Sequence, residues 1–138
     1  MRDMSITKKI LLYIENNLDS RLSLEKIAKD LNYSKFYIGR TFKDNTGMTL
    51  YKYIQGRRLD EAARKLTETD LPIVEIAFEA GYSSQQAFTQ AFRCVYACAP
   101  QEYRRTGIYV PKQGRIDMSI KKKYEILSFV WTGGRVAA

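Results

Sequence analysis

Two octapeptides, IAKDLNYS (27–34) and IAFEAGYS (76–83), repeat one pattern in separate parts of the chain. Each reads as the end of a helix, a short turn closed by an aromatic, and the start of a second helix. A small side chain, Ala28 or Ala77, stands where two helices must approach closely. The segments that follow also align, Ile38 with Phe88 and Phe42 with Phe92, once the second copy is allowed one extra residue. The repeat limits the chain to two copies of a helix-turn-helix unit, each burying one apolar stripe.

Helical periodicity runs through most of the chain. It predicts helices over 6–17 with Ile10, Leu11 and Ile14 inward, from Ser23 through Leu31, over 34–45, over about 50–67, over 72–80, over 84–96, and from Pro100 to just before Gly107. Ser23 is a good N-cap. Gly47 is a stop signal, and Pro72 suits a first helical turn. In the helix over 84–96, Phe88, Ala91, Phe92 and Val95 form the inward stripe. The expected fold is all-α: two helix-turn-helix subdomains joined by a long central helix. The divisions are 1–48, a linker helix at 49–67, 68–107, and a tail at 108–138. In the tail, RIDMSI alternates apolar and polar residues and YEILSFVW is β-prone. Both suit a β-hairpin or the stub of a truncated domain.

The outward faces of the second helix in each unit carry the chemistry. No Asp or Glu lies between Gly81 and Gln101, or between Leu31 and Lys43. An ordinary solvated face mixes both signs of charge. A face set against phosphates excludes carboxylates and keeps neutral or cationic donors. Gln pairs bidentately with adenine, Arg pairs with guanine, and Thr meets the thymine methyl. Gln85, Gln86, Thr89, Gln90 and Arg93 fit that role in the second unit, and Lys35, Phe36, Arg40 and Lys43 in the first. Core packing is the competing account of Phe36 and Tyr37. A central helix of about 18 residues spans roughly 27 Å. With the width of each unit added, that lets the two helices reach major grooves about 34 Å apart.

Charge points the same way. The 23 Lys and Arg exceed the 15 Asp and Glu, giving a net charge of +8, which favours an anionic partner. There is no His and no Gly-rich phosphate loop, so acid/base and phosphoryl-transfer chemistry lack their usual parts. Cys94 and Cys98 would share a face of a continuing helix. Two thiols cannot complete a tetrahedral zinc site, and they are expected to be reduced packing residues. No enzyme activity, metal or cofactor is expected. A thiol-based enzyme or sensor is the rival from another class. No apolar run suits a signal peptide or a membrane span. The expected setting is the cytoplasm, associated with the nucleoid, with no membrane partner.

The stretches SLEKIAKDLNYSKFYIGRTFK, YIQGRRLDEAARKL and GYSSQQAFTQAFRCVYACAPQEYR resemble the AraC/XylS family of bacterial transcription regulators. They are most similar to its short MarA/SoxS/Rob subgroup, and the likeness covers residues 6–105. The resemblance implies a monomer that reads an asymmetric promoter site of double-stranded DNA, and contact with RNA polymerase, usually to activate. Carried over position by position, it implies base-facing roles for Lys35, Phe36, Gly39 and Arg40, and for Gln85, Gln86, Ala87, Thr89 and Gln90. Phe36 stands where the subgroup has Trp, Gly39 where it has Gln, Ala87 where it has Thr, and Gln90 where it has Arg. Ala97 replaces the wider family's Gly after the second reading helix. The subgroup's target sequence therefore does not transfer.

Backbone anchoring is expected at helix starts, where free N–H groups favour anions: Ser23, Ser34, Ile73 and Ser84. Lys43, Arg57, Arg93, Arg104 and Arg105 are expected to add charge against phosphates. The competing reading is an RNA- or DNA-binding architectural protein indifferent to sequence, stacking an exposed aromatic such as Phe36 on bases.

Overall fold

The computed structural model describes residues 4–118. Seven helices follow in chain order: α1 (Met4–Asn16), α2 (Leu24–Leu31), α3 (Lys35–Thr46), α4 (Leu50–Glu68), α5 (Ile73–Glu79), α6 (Gln85–Tyr96) and α7 (Pro100–Thr106). No strand occurs among the described residues. The all-α expectation holds, and the helix limits fall within about two residues of those read from periodicity and caps.

Local chemistry explains the boundaries. The hydroxyls of Ser23, Ser34, Thr49 and Ser84 each accept the N–H three residues on, capping α2, α3, α4 and α6. This satisfies an orphan donor of the first turn. The two turns are closed alike. Asn32 and Gly81 take positive φ, 65° and 93°. Tyr33 N–H then donates to the Ala28 carbonyl and Tyr82 N–H to that of Ala77. The octapeptide repeat is thus one turn geometry built twice.

Helix α4 belongs to both units. Its first half gives Leu50, Tyr53 and Ile54 to a core with Ile10, Ile14, Ile27, Ile38 and Phe42. Its second half gives Leu59, Ala62, Ala63 and Leu66 to a core with Ile76, Ala77, Phe88, Phe92 and Tyr96. Each fully buried aromatic or Ile contributes about 1.5–3 kcal/mol. Ala28 and Ala77 are buried where α2 meets α3 and α5 meets α6. In α6 the inward stripe is Phe88, Phe92 and Tyr96, while Val95 is exposed. The expectation for Val95 fails because the Phe92 ring stacks on Tyr96 with centroids 4.6 Å apart. That i, i+4 run carries the buried face past Val95.

After α7 the chain runs back along α4 without regular structure. Tyr109 packs on the second core, and Ile116 and Met118 on the first. The β-prone stretch expected in the tail lies mostly outside the described residues. Its described part, 115–118, forms no strand.

Candidate nucleic-acid interface

Both expected reading helices hold their backs in a core and turn their faces to solvent. On α3, Ile38, Thr41 and Phe42 are buried, whereas Lys35, Phe36, Arg40 and Lys43 are exposed and Gly39 is half-buried. On α6, Phe88 and Phe92 are buried. Gln85, Gln86, Gln90 and Arg93 are exposed, and Ala87 and Thr89 are half-buried. A cleft of about 950 Å³ lies between the units. It is lined by Gly39 and Lys43 of α3, by Ala87 of α6, and by Tyr51, Gln55 and Arg58 of α4. The two reading faces therefore border one concavity.

Phe36 settles one alternative. The residue is 73% exposed, so it is no core residue. The Lys35 ammonium lies 5.6 Å from that ring and 3.4 Å from the Glu25 carboxylate. At this exposure the ion pair is weak. Tyr37 is half-buried and stacks on Tyr33, which fits the packing reading. At Gly39 an added Cβ would come no closer than 3.7 Å to Leu24. No steric demand keeps that position empty.

The expected anchors divide into two groups. Ser23, Ser34 and Ser84 are exposed N-caps. Each hydroxyl spends a lone pair on the helix and keeps its proton for an acceptor. Ile73 opens α5 behind Pro72, which makes no side-chain cap, and Glu75 stands in that first turn. Lys43 and Arg93 sit exposed in the last turns of α3 and α6, and Arg105 is exposed in α7.

Arg57 and Arg104 correct the sequence-based expectation. The Arg57 side chain is only 4% exposed. Its Nε and Nη2 donate to the two Glu15 carboxylate oxygens at 2.7 and 2.9 Å, and Nη1 donates to Asp60 at 3.3 Å. Burial alone would lower its pKa, but the bonds and charge of Glu15 outweigh that and raise it. Arg104 donates to the carbonyls of Leu66, Thr69 and Leu71 at 2.9, 3.3 and 2.7 Å. It caps the end of α4, where carbonyls lack intrahelical partners. Arg58 likewise serves the carbonyls of Leu18 and Ser20, and its burial lowers its pKa. These guanidiniums hold the fold together; a sequence displays their charge but not their partners.

Sequence reading also missed Asp60. It is fully buried and accepts from the Tyr96 hydroxyl at 2.6 Å, from the backbone N–H groups of Lys112, Gln113 and Gly114, and from Arg57. Nothing in the sequence pairs it with residues so far along the chain. Cys94 is exposed and Cys98 half-buried, both free. They do not share a helix face, because α6 stops at Tyr96 and Ala97 turns left-handed. No cluster among the described residues could hold a metal ion. None of the described helices is long and apolar enough to cross a membrane.

Residues 27–106 match the helix-turn-helix domain family. The chain belongs to the AraC-type family of DNA-binding transcription regulators. It is 42% identical over 105 residues to the transposon Tn10 TetD protein of Escherichia coli, covering 76% of each chain. It is 42% identical over 100 residues to the multiple antibiotic resistance protein MarA of Salmonella typhimurium, covering 72% of this chain and 79% of MarA. The HTH-type transcriptional activator AarP of Providencia stuartii is 41% identical, over 72% of this chain and 74% of AarP. Among solved structures, an AraC-type regulator of Chromobacterium violaceum superposes with a TM-score of 0.71 at 28% identity, over 75% of this chain and 93% of that one. Members of the family regulate transcription and are not enzymes.

Proposed function

We propose that this AraC-type regulator is a sequence-specific activator that inserts α3 and α6 into adjacent major grooves of an asymmetric promoter site. The carrying observation is the shared cleft: the outward faces of α3 and α6, without acids from Leu31 to Lys43 and from Gly81 to Gln101 and held by separate cores, border one concavity. Helix α4 has 19 residues, about 28 Å of axis, and links units whose grooves would lie about 34 Å apart. Lys35, Phe36, Gly39 and Arg40 face bases in one groove, and Gln85, Gln86, Ala87, Thr89 and Gln90 in the other. Ser23, Ser34, Lys43, Ile73, Ser84, Arg93 and Arg105 anchor the backbone. The chain binds as a monomer in the nucleoid, because its two units, 1–48 and 68–107, are unequal and read an unsymmetrical sequence. Contact with RNA polymerase then activates transcription, a reading supported by the likeness to AarP, a transcriptional activator.

The test is a selection from random duplex DNA with the full chain. The expected product is one asymmetric motif of about 20 base pairs, with preferences clustered about one helical turn apart. A palindrome would replace the monomer by a dimer. Binding with no motif would leave the architectural reading in its place.

A further inference from the structure

The two cores meet along α4 at a seam of charge. Leu50, Tyr53 and Ile54 lie on one side, and Leu59, Ala62, Ala63 and Leu66 on the other. Between them Arg57 and Asp60 are buried. Four elements converge there. Glu15 of α1 grips Arg57 with both oxygens. Tyr96, at the last turn of α6, donates to Asp60. The strap after α7 wraps the same carboxylate with three successive N–H groups: Lys112 at 3.0 Å, Gln113 at 3.2 Å and Gly114 at 2.8 Å. Beyond this point Ile116 N–H bonds the Tyr53 hydroxyl and Met118 is buried in the first core, while on the near side Tyr109 packs on the second.

We propose that residues 109–118, held on Asp60 and Tyr96, fix the placement of α6 relative to α3, so that Asp60 sets how strictly the protein measures the distance between its two half-sites. The proposal rests on the two-groove reading above. Asp60 faces the interior and touches no DNA, so it is a positioning residue. The chemistry suits the task. A carboxylate can satisfy many donors at once, as this one does. An Asn would present a single oxygen and turn its own N–H groups toward backbone N–H donors. The Tyr96 hydroxyl ties the carboxylate to the reading helix directly. Without these bonds, the units are joined by α4, by the bonds of Arg58 to the carbonyls of Leu18 and Ser20 and by the ion pairs of Lys65 with Asp19 and Glu79, and the strap no longer ties α6 to the first core.

The experiment uses the full chain and the duplex found by selection, with one or two base pairs inserted into or removed from the centre. Each added pair rotates the far half-site by about 35°. The wild-type protein is expected to lose about tenfold or more in affinity per altered pair, the size of a mismatched base. Asp60→Asn and Tyr96→Phe are expected to lose affinity for the native spacing and to show a flatter profile, within about threefold across spacings. The Phe variant keeps the ring that packs on Phe92 and Tyr103, so it decides the matter if the Asn variant does not fold. A merely structural role would lower binding to all duplexes equally and leave the profile steep, which would overturn the proposal while the two-groove reading stood. A flat wild-type profile would overturn the two-groove reading, and this proposal with it.

Discussion

Ala97 ends α6 with φ 63°, where Gly47 ends α3 with φ 81°. An L-residue in the left-handed region crowds its Cβ against the following carbonyl, at a cost of roughly 1–2 kcal/mol, which Gly escapes. The end of α6 therefore carries strain that the end of α3 does not. Ala97→Gly is expected to stabilise the protein by about 1 kcal/mol, less the entropy that Gly adds to the unfolded chain. An increase in the urea midpoint at unchanged slope would show it; an unmoved midpoint would mean that the turn has relaxed the strain. The sequence already exposed this position as an Ala where the family has Gly. It gave no such sign at Arg57. That guanidinium was one of five cations assigned to phosphates, and its bonds to Glu15, 42 residues away in sequence, depend on a distance that no local pattern encodes. Removing one partner of a buried pair typically costs 3–5 kcal/mol. Arg57→Ala is accordingly expected to lower stability by about that much, read by thermal or urea unfolding. Loss of DNA affinity with stability unchanged would restore Arg57 to the interface.

At the scale of elements, the sequence was most informative where local rules act alone. The cap at Ser23 and the stop at Gly47 placed helix ends, and Ser34 and Ser84, read as helix starts, are caps in the structure. The 3.6-residue period placed the buried faces of α1 and α3. It misjudged Val95 because two candidates, Val95 and Tyr96, both continue the stripe from Phe92, and aromatic stacking chose Tyr96. The strap had no period to read, since it pairs its backbone with Asp60 and not with a neighbouring strand. The reading helices themselves lead to a prediction about their last turns. Lys43 and Arg93 lie exposed there, one turn beyond the residues proposed to face bases, where they would meet flanking phosphates. Changing either to Gln should weaken binding to specific and random duplexes alike and reduce the slope of log affinity against log salt by about one. A slope that stays put would place that side chain in bulk solvent.

For the whole molecule, stoichiometry and fold stability meet in the tail. Two reading helices on one chain border one cleft, so one chain should suffice for one site. Cutting the chain at two points separates assembly from folding. A chain ending at Met118 keeps every contact described here: the three amides on Asp60, the bond from Ile116 to Tyr53, and Met118 in the first core. It is expected to bind one per duplex, with the affinity of the full chain. A chain ending at Gly107 loses all of these and leaves the Asp60 carboxylate buried with fewer donors, at a cost of at least several kcal/mol by the usual penalty for stripping partners from a buried charge. It should unfold at markedly lower temperature and bind poorly at any spacing. Sedimentation of each chain with the selected duplex, beside thermal unfolding, checks both statements. If the chain ending at Met118 instead binds weakly, and the full chain sediments as two copies per duplex, residues beyond 118 join protomers. The asymmetric site would then be read by a dimer.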